Sequence, residues 1–328
     1  MSMASNKRKV LLPDTMGQQG IDIVRAREDI ETVLFPSRID QATLLPMLTD
    51  CAGIALGGTP FRRVELDASP AIQVVARIGV GYDAVEVPAL STRKVPLMVA
   101  GTANSTSVAE QAFHLMISLA KRHEALDALV REGRWADRHG GLPMEISGKT
   151  VLIVGFGRIG TRQARRCAAF DMNVLIFDPY VDAGVIRAAG CEKVTDLDAV
   201  LPRVDFVSIH CPKNPETIDM FNAARFARMQ RRAYIVNTAR GGIINEKDLH
   251  AALTSGQIAG AGLDVFDQEP TPPDNPLLKL SNVISSPHMA GVTTEAVAAM
   301  AVATARNILS VLDGAPNKEN TINPEVYG

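Results

Sequence analysis

Thr150-Val151-Leu152-Ile153-Val154-Gly155-Phe156-Gly157-Arg158-Ile159-Gly160 is the stretch that decides the fold. Its first five residues are apolar or β-branched and read as a buried strand. The three glycines follow at once, and an amphipathic segment follows them. In that setting Gly155 and Gly157 permit a tight turn and close backbone approach to a pyrophosphate, and Gly160 permits helix-on-strand packing. The helix that opens here offers free N–H groups and a positive dipole end to phosphates. The next apolar run, Asn173–Phe177, ends at Asp178, 18 residues beyond Gly160. An acidic group at that place hydrogen-bonds the adenine-side ribose hydroxyls of a dinucleotide. It also repels the extra phosphate of NADP, so NAD is the expected cofactor. A glycine turn in a ligand-free sheet is the duller alternative. Strand, loop, helix and acid all in register favour the dinucleotide.

Short apolar runs alternate with longer amphipathic segments on both sides of this loop. Val10–Leu12, Thr32–Phe35, Gly53–Leu56, Gln73–Ala76 and Leu97–Val99 read as buried strands of a first series ending near Gly101. Thr150–Val154 begins a second series, continued by Asn173–Phe177, Asp205–Ile209, Tyr234–Val236, Gly262–Val265 and Asn282–Ile284. Strands alternating with helices imply parallel sheets covered on both faces, an α/β class with doubly wound sheets. Ser107-Val108-Ala109-Glu110 has the form of a capping box, predicting a helix from there to about Lys121. Thr294 to about Leu312 reads as a further helix, followed by an irregular tail.

Composition narrows the function. The chain has 328 residues, 46% apolar and 21% charged, enough for two domains and a sizeable core. With 34 Lys and Arg against 36 Asp and Glu, the net charge is −2, which excludes the broad basic field that nucleic-acid binding needs. Cys51, Cys167, Cys191 and Cys211 lie far apart with no metal-ligand spacing and read as reduced core residues. No metal site is expected. Lys7-Arg8-Lys9 precede only three apolar residues before Pro13, so neither a signal peptide nor a membrane span is expected, and the expected location is cytoplasmic.

Three late strands finish in polar residues that a core does not require. Tyr234–Asn237 runs into Arg240, Gly262–Val265 runs into Glu269, and Asn282–Ile284 runs into His288. Ligands of an open parallel sheet bind outside the carboxyl ends of its strands. An Arg clamps a carboxylate, a His exchanges a proton near neutral pH, and a neighbouring Glu favours the protonated His. That combination suits a 2-keto acid. Each residue alone has an ordinary structural reading; the joint pattern makes them catalytic candidates.

At this point the chain resembles the D-isomer-specific 2-hydroxyacid dehydrogenase family. The resemblance rests on Ala76–Asp83, Asn104-Ser105 with Val108–Glu110, Gly155–Gly160, Asp205–Pro212, Asn237–Gly242, Gly262–Pro270 and Ser286–His288. It implies Arg240, Glu269 and His288 as the catalytic set, and Val80, Gly81 and Asn104, with Arg240 and His288, as substrate contacts. It implies cofactor contacts at Gly155, Gly157, Arg158, Ile159, Gly160, Asp178, His210, Cys211, Pro212, Thr217, Thr238, Ala239, Asp264 and Ala290. Asp264 is expected near the nicotinamide carboxamide, whereas His210 reads better as a structural strand-end residue and Tyr180 as loop surface near the adenosine. The implied architecture is a Rossmann NAD-binding domain, residues 104–291, inserted into a flavodoxin-like substrate domain, residues 1–103 with 292–328, with the active site in the cleft between them. The family also implies a homodimer through the cofactor domain. Met116, Leu119, Leu129 and Trp135 are candidates for that contact, though core positions explain them equally.

The implied activity is reversible, NAD-dependent reduction of a small 2-keto acid to its (R)-2-hydroxy acid, with hydroxypyruvate or glyoxylate favoured. Two departures bear on the phosphoglycerate dehydrogenase alternative. Leu56-Gly57-Gly58-Thr59 stands where phosphoglycerate dehydrogenases typically carry an Arg-Ser pair, and with Gly328 as the last residue the C-terminal regulatory module of some phosphoglycerate dehydrogenases is not expected. Formate dehydrogenases place Gln where this chain has Glu269. An NAD-sensing co-repressor-like binding protein is the rival from another class, disfavoured by short tails. The expected partner is the small acid alone, with no nucleic acid and no membrane.

Overall fold

A computed structural model describes residues 7–328. The chain divides into two compact units, one running to Asn104 and resuming over Val292–Gly328, the other spanning Ser105–Gly291.

The first unit holds five parallel strands: β1 (Arg8–Pro13), β2 (Ile30–Phe35), β3 (Cys51–Leu56), β4 (Val74–Arg77) and β5 (Leu97–Met98). Their spatial order is β2-β1-β3-β4-β5, the flavodoxin-like doubly wound arrangement. Both faces are buried, because odd and even residues of each strand enter different clusters. Leu11, Ile54, Leu56 and Val75 pack on one side, and Val10, Leu12, Ala55 and Val74 on the other. The helix Thr294–Leu312 covers the second side with Ala301, Ala305 and Ile308. By length and composition alone, with a mean hydropathy of 1.4, that helix is apolar enough to cross a membrane. Here its apolar stripe, Ala296, Met300, Ala301, Ala305, Ile308 and Leu312, is buried within this unit at helical spacing.

The second unit holds seven parallel strands: β6 (Thr150–Val154), β7 (Asn173–Phe177), β8 (Glu192–Val194), β9 (Phe206–Ile209), β10 (Tyr234–Asn237), β11 (Gly260–Leu263) and β12 (Val283–Ser285). Their order is β12-β11-β10-β9-β6-β7-β8. The chain winds outward one way from β6 through β7 and β8, and the other way through β9 to β12, so the order reverses between β6 and β9. β8 has no counterpart among the expected strands: with Glu192 and Lys193 at an edge, it carries neither alternation nor an apolar run.

The register of this sheet positions the site. Phe177, Val154, Ile209, Asn237, Leu263 and Ser285 stand in a single row across six strands. The next residue on each strand is Asp178, Gly155, His210, Thr238, Asp264 or Ser286. The polar strand ends picked out by sequence therefore share one edge.

The long helix packed on this sheet runs Ser105–Lys121, starting two residues before the expected capping box. Ser107 is buried in its first turn, and the Glu110 side chain pairs with Arg166 at 2.9 Å. Met116 and Leu119 lie in the core with Ile153 and Phe156, the second of the two readings the sequence leaves open for them. The helix His123–Arg131 after it buries none of its residues, and Trp135 is 65% exposed.

Candidate active site

At the mouth of β6 two of the three glycines are required by the backbone around them. Gly155 has φ +94°, and a Cβ there would stand 2.8 Å from the Cys211 nitrogen. A Cβ on Gly160 would meet the Gly155 carbonyl oxygen at 2.0 Å, so the helix Gly160–Ala169 can approach the loop only with glycine there. Gly157 faces open space. Asp178 is tied to this loop: its Oδ2 accepts from the Phe156 N–H at 2.8 Å, and its Oδ1 from the N–H groups of Tyr180 and Val181.

His210 and Cys211 lie at the mouth of β9. The His210 ring accepts or donates at Nε2 to the Ser208 hydroxyl at 2.9 Å, while Nδ1 is buried without a partner. Burial pushes its pKa down to about 3, so the imidazole is neutral at physiological pH. Burial also pushes the Cys211 thiol up to about 12. The loop beyond is fixed by the buried Thr217, whose hydroxyl donates to the Pro212 carbonyl at 2.7 Å. Thr238 Oγ1, at the mouth of β10, is a second buried polar atom without a partner. These features fit a dinucleotide: an open glycine turn at a helix N-terminus, a fixed carboxylate for the ribose, and unused polar atoms along the edge.

The loops that carry Arg240, Glu269 and His288 follow the next three strands. Asn237 ends β10 and braces its loop, accepting from the Ala239 N–H at 3.0 Å and donating to the Arg240 carbonyl at 2.8 Å. Glu269 follows β11; its Oε1 accepts from the Phe266 N–H at 3.0 Å, and its Oε2 pairs with His288 Nδ1 at 2.7 Å. The Glu269 hydrogen bond, opposed by burial, holds the His288 pKa above its ordinary value; the Glu269 charge adds to this and Arg240 opposes it. Burial pushes the Glu269 carboxyl up, but the bonds from His288 and Phe266 and the charges of His288 and Arg240 leave it below its ordinary value. Both side chains line a cleft of about 670 Å³ with Phe266, Pro270, Leu278 and Pro287.

Asp264 follows β11 directly. It is wholly buried, and its carboxylate serves the chain itself: Oδ1 accepts from the Ser286 hydroxyl at 2.5 Å and the Met289 N–H at 2.8 Å, and Oδ2 from the Ala290 N–H at 2.9 Å. The His288 N–H donates to the Asp264 carbonyl at 2.8 Å. His288 has φ +55°, a left-handed conformation costing a non-glycine residue about 1–2 kcal/mol, and these bonds hold it there. Nothing in the sequence pattern signals this clamp beyond an acid at a strand end.

Of the expected substrate contacts in the first unit, Val80 and Gly81 lie on the loop after β4, where the Arg77 Nε donates to the Gly81 carbonyl at 2.8 Å. Asn104 is buried, and its Oδ1 has no hydrogen-bond partner.

The model of the D-isomer specific 2-hydroxyacid dehydrogenase NAD-binding domain matches residues 113–290. The chain belongs to this family. Within it, the seven-stranded unit is the family's NAD-binding domain. The glyoxylate reductase of Korarchaeum cryptofilum is 34% identical over 324 residues, covering 98% of this chain and 97% of its own. The D-3-phosphoglycerate dehydrogenase of Archaeoglobus fulgidus is 34% identical over 316 residues, covering 96% of this chain but only 59% of its own, so the chain spans little more than half that relative. Among solved structures, an NADPH-dependent glyoxylate/hydroxypyruvate reductase from Sinorhizobium meliloti superposes with a TM-score of 0.84 at 27% identity, covering 97% of this chain and 98% of that one.

Proposed function

We propose that this family member reduces a small 2-keto acid to its (R)-2-hydroxy acid with NADH, and that Arg240, Glu269 and His288 carry the reaction. The observation that supports this most is the 2.7 Å His288–Glu269 pair, with the charge of Arg240 reaching both partners. The bound cofactor supplies a hydride. Protonated His288 donates its proton to the carbonyl oxygen through Nε2, because Nδ1 is held by Glu269. Arg240 binds the substrate carboxylate and polarises the carbonyl, aided by the N–H groups of Val80 and Gly81. Asp264 acts at one remove, fixing the loop on which His288 sits. We assign the cofactor to Gly155–Gly160, Asp178, His210–Pro212, Thr217, Thr238-Ala239 and Ala290, in the seven-stranded unit. The five-stranded unit takes the substrate.

Glyoxylate or hydroxypyruvate is the favoured class. Gly57 and Gly58, after β3, face open space, and no arginine stands there to bind a substrate phosphate. The similarity to phosphoglycerate dehydrogenases supports phosphohydroxypyruvate as the second reading. We further propose a cytoplasmic homodimer joined through the exposed stretch carrying Val130, Trp135 and Leu142. NADH oxidation with glyoxylate, hydroxypyruvate, pyruvate and phosphohydroxypyruvate, with chiral analysis of the product, tests the reading. Turnover of an unphosphorylated acid to the (R)-product is expected. Turnover of the phosphorylated substrate alone would overturn the substrate class, and an (S)-product the stereochemistry.

A further inference from the structure

We propose that Glu216 is a second acidic determinant of cofactor choice, held in place by Tyr180 so that it works with Asp178 to reject a 2′-phosphate. The inference rests on the dinucleotide reading above and names a residue outside it.

Two loops flank the glycine turn after β6, one after β7 and one after β9, because β6 lies between those strands. A single residue joins them. Tyr180 donates its backbone N–H to Asp178 Oδ1 at 2.9 Å and its hydroxyl to Glu216 Oε2 at 2.7 Å. The pair therefore spans the edge at which the ribose of a dinucleotide meets the end of β7. Tyr180 is 78% exposed, so core packing does not account for its position. Glu216 is also anchored from its own side. Its N–H donates to Asn214 Oδ1 at 2.9 Å, and Asn214 is tied in turn to the buried Thr217. The Tyr180 hydroxyl is pushed to higher pKa chiefly by its bond to Glu216 and that carboxylate's charge, with smaller contributions from desolvation and from Asp178.

The charge arithmetic gives the arrangement a consequence. Asp178 already spends its oxygens on three N–H groups. Glu216 uses Oε2 for Tyr180 and keeps Oε1 toward solvent, on an exposed residue. A 2′-phosphate would add about two negative charges within roughly a Debye length of both acids. NAD, with a neutral ribose edge, meets no such penalty. Repulsion of this kind between exposed groups corresponds to about a fivefold change in affinity and weakens with salt.

Fluorescence titration of the full chain with NADH and with NADPH, at low and high ionic strength, tests this directly. In Glu216→Gln the ratio Kd(NADPH)/Kd(NADH) is expected to fall about fivefold at low salt, with the change shrinking at high salt. Tyr180→Phe keeps the charge and releases its tether, so a smaller fall in the same ratio is expected. A ratio within twofold of the parent in Glu216→Gln, while NADH still binds, overturns the inference alone. Failure of the parent chain to bind either nucleotide overturns the cofactor reading and this inference together.

Discussion

The carboxyl edges of the two sheets are built differently. In the seven-stranded unit three loops are fixed by polar side chains at strand ends: Asp178, after β7, holds the glycine turn, Asn237, at the end of β10, the Arg240 loop, and Asp264, after β11, the His288 loop. In the five-stranded unit β3 runs into Gly57 and Gly58, where an added Cβ would meet nothing within 4 Å, while the loop after β4 is held by a single bond from Arg77 to the Gly81 carbonyl and leaves Tyr82 exposed. In the reaction we propose, the groups that tolerate little displacement sit on the braced edge, and space for a substrate side chain lies on the sparse one. The difference teaches where the proposal expects variation to be tolerated: on the second edge, which would choose the acid, rather than on the first.

The largest expected effect lies on the braced edge. His288→Asn removes the proton donor and should lower kcat by about 10²–10⁴, with NADH binding retained by titration. Near-normal turnover in that variant would remove His288 from the reaction. Asp264→Asn tests the brace itself. It replaces an acceptor with a donor facing buried N–H groups, an error of about 1–3 kcal/mol. The expected outcome is a lower melting temperature and about a tenfold fall in kcat, measured by thermal unfolding and steady-state kinetics. The sparse edge should respond in specificity instead. Gly57→Arg is expected to improve kcat/KM for phosphohydroxypyruvate relative to hydroxypyruvate by about tenfold, with thermal stability nearly unchanged. A loss of stability as large as that of Asp264→Asn would erase the contrast between the edges.

The two edges also differ in how much the sequence disclosed. β6, β7, β9 and β10 are continuous apolar runs, and their legibility follows from burial on both faces. Arg240, Glu269 and His288 stood out because each is a polar residue a few positions beyond an apolar run. β8 did not, since three residues with two charges carry no period. Nor did the start of the helix at Ser105, where tertiary burial of Ser107 overrode a local capping pattern. Met116 and Leu119 were ambiguous because an apolar helix face looks the same toward a core or a partner chain; packing against Ile153 settles them as core. Asp264 and Tyr180 were placed by neighbourhood, yet their partners, Ser286, Met289, Ala290 and Glu216, lie on other loops and become visible only once the strands are in register.

The central claim is that Glu269 holds His288 protonated for the keto acid. The pH dependence of kcat/KM for reduction, measured in the parent chain and in Glu269→Gln, tests it most directly. The folded-state pKa of His288 is raised, so the protonated donor persists to higher pH and the rate falls as pH rises through that value. Removing the carboxylate removes the largest raising influence, and the falling limb should move to lower pH. A falling limb at the same pH in both proteins would contradict the account.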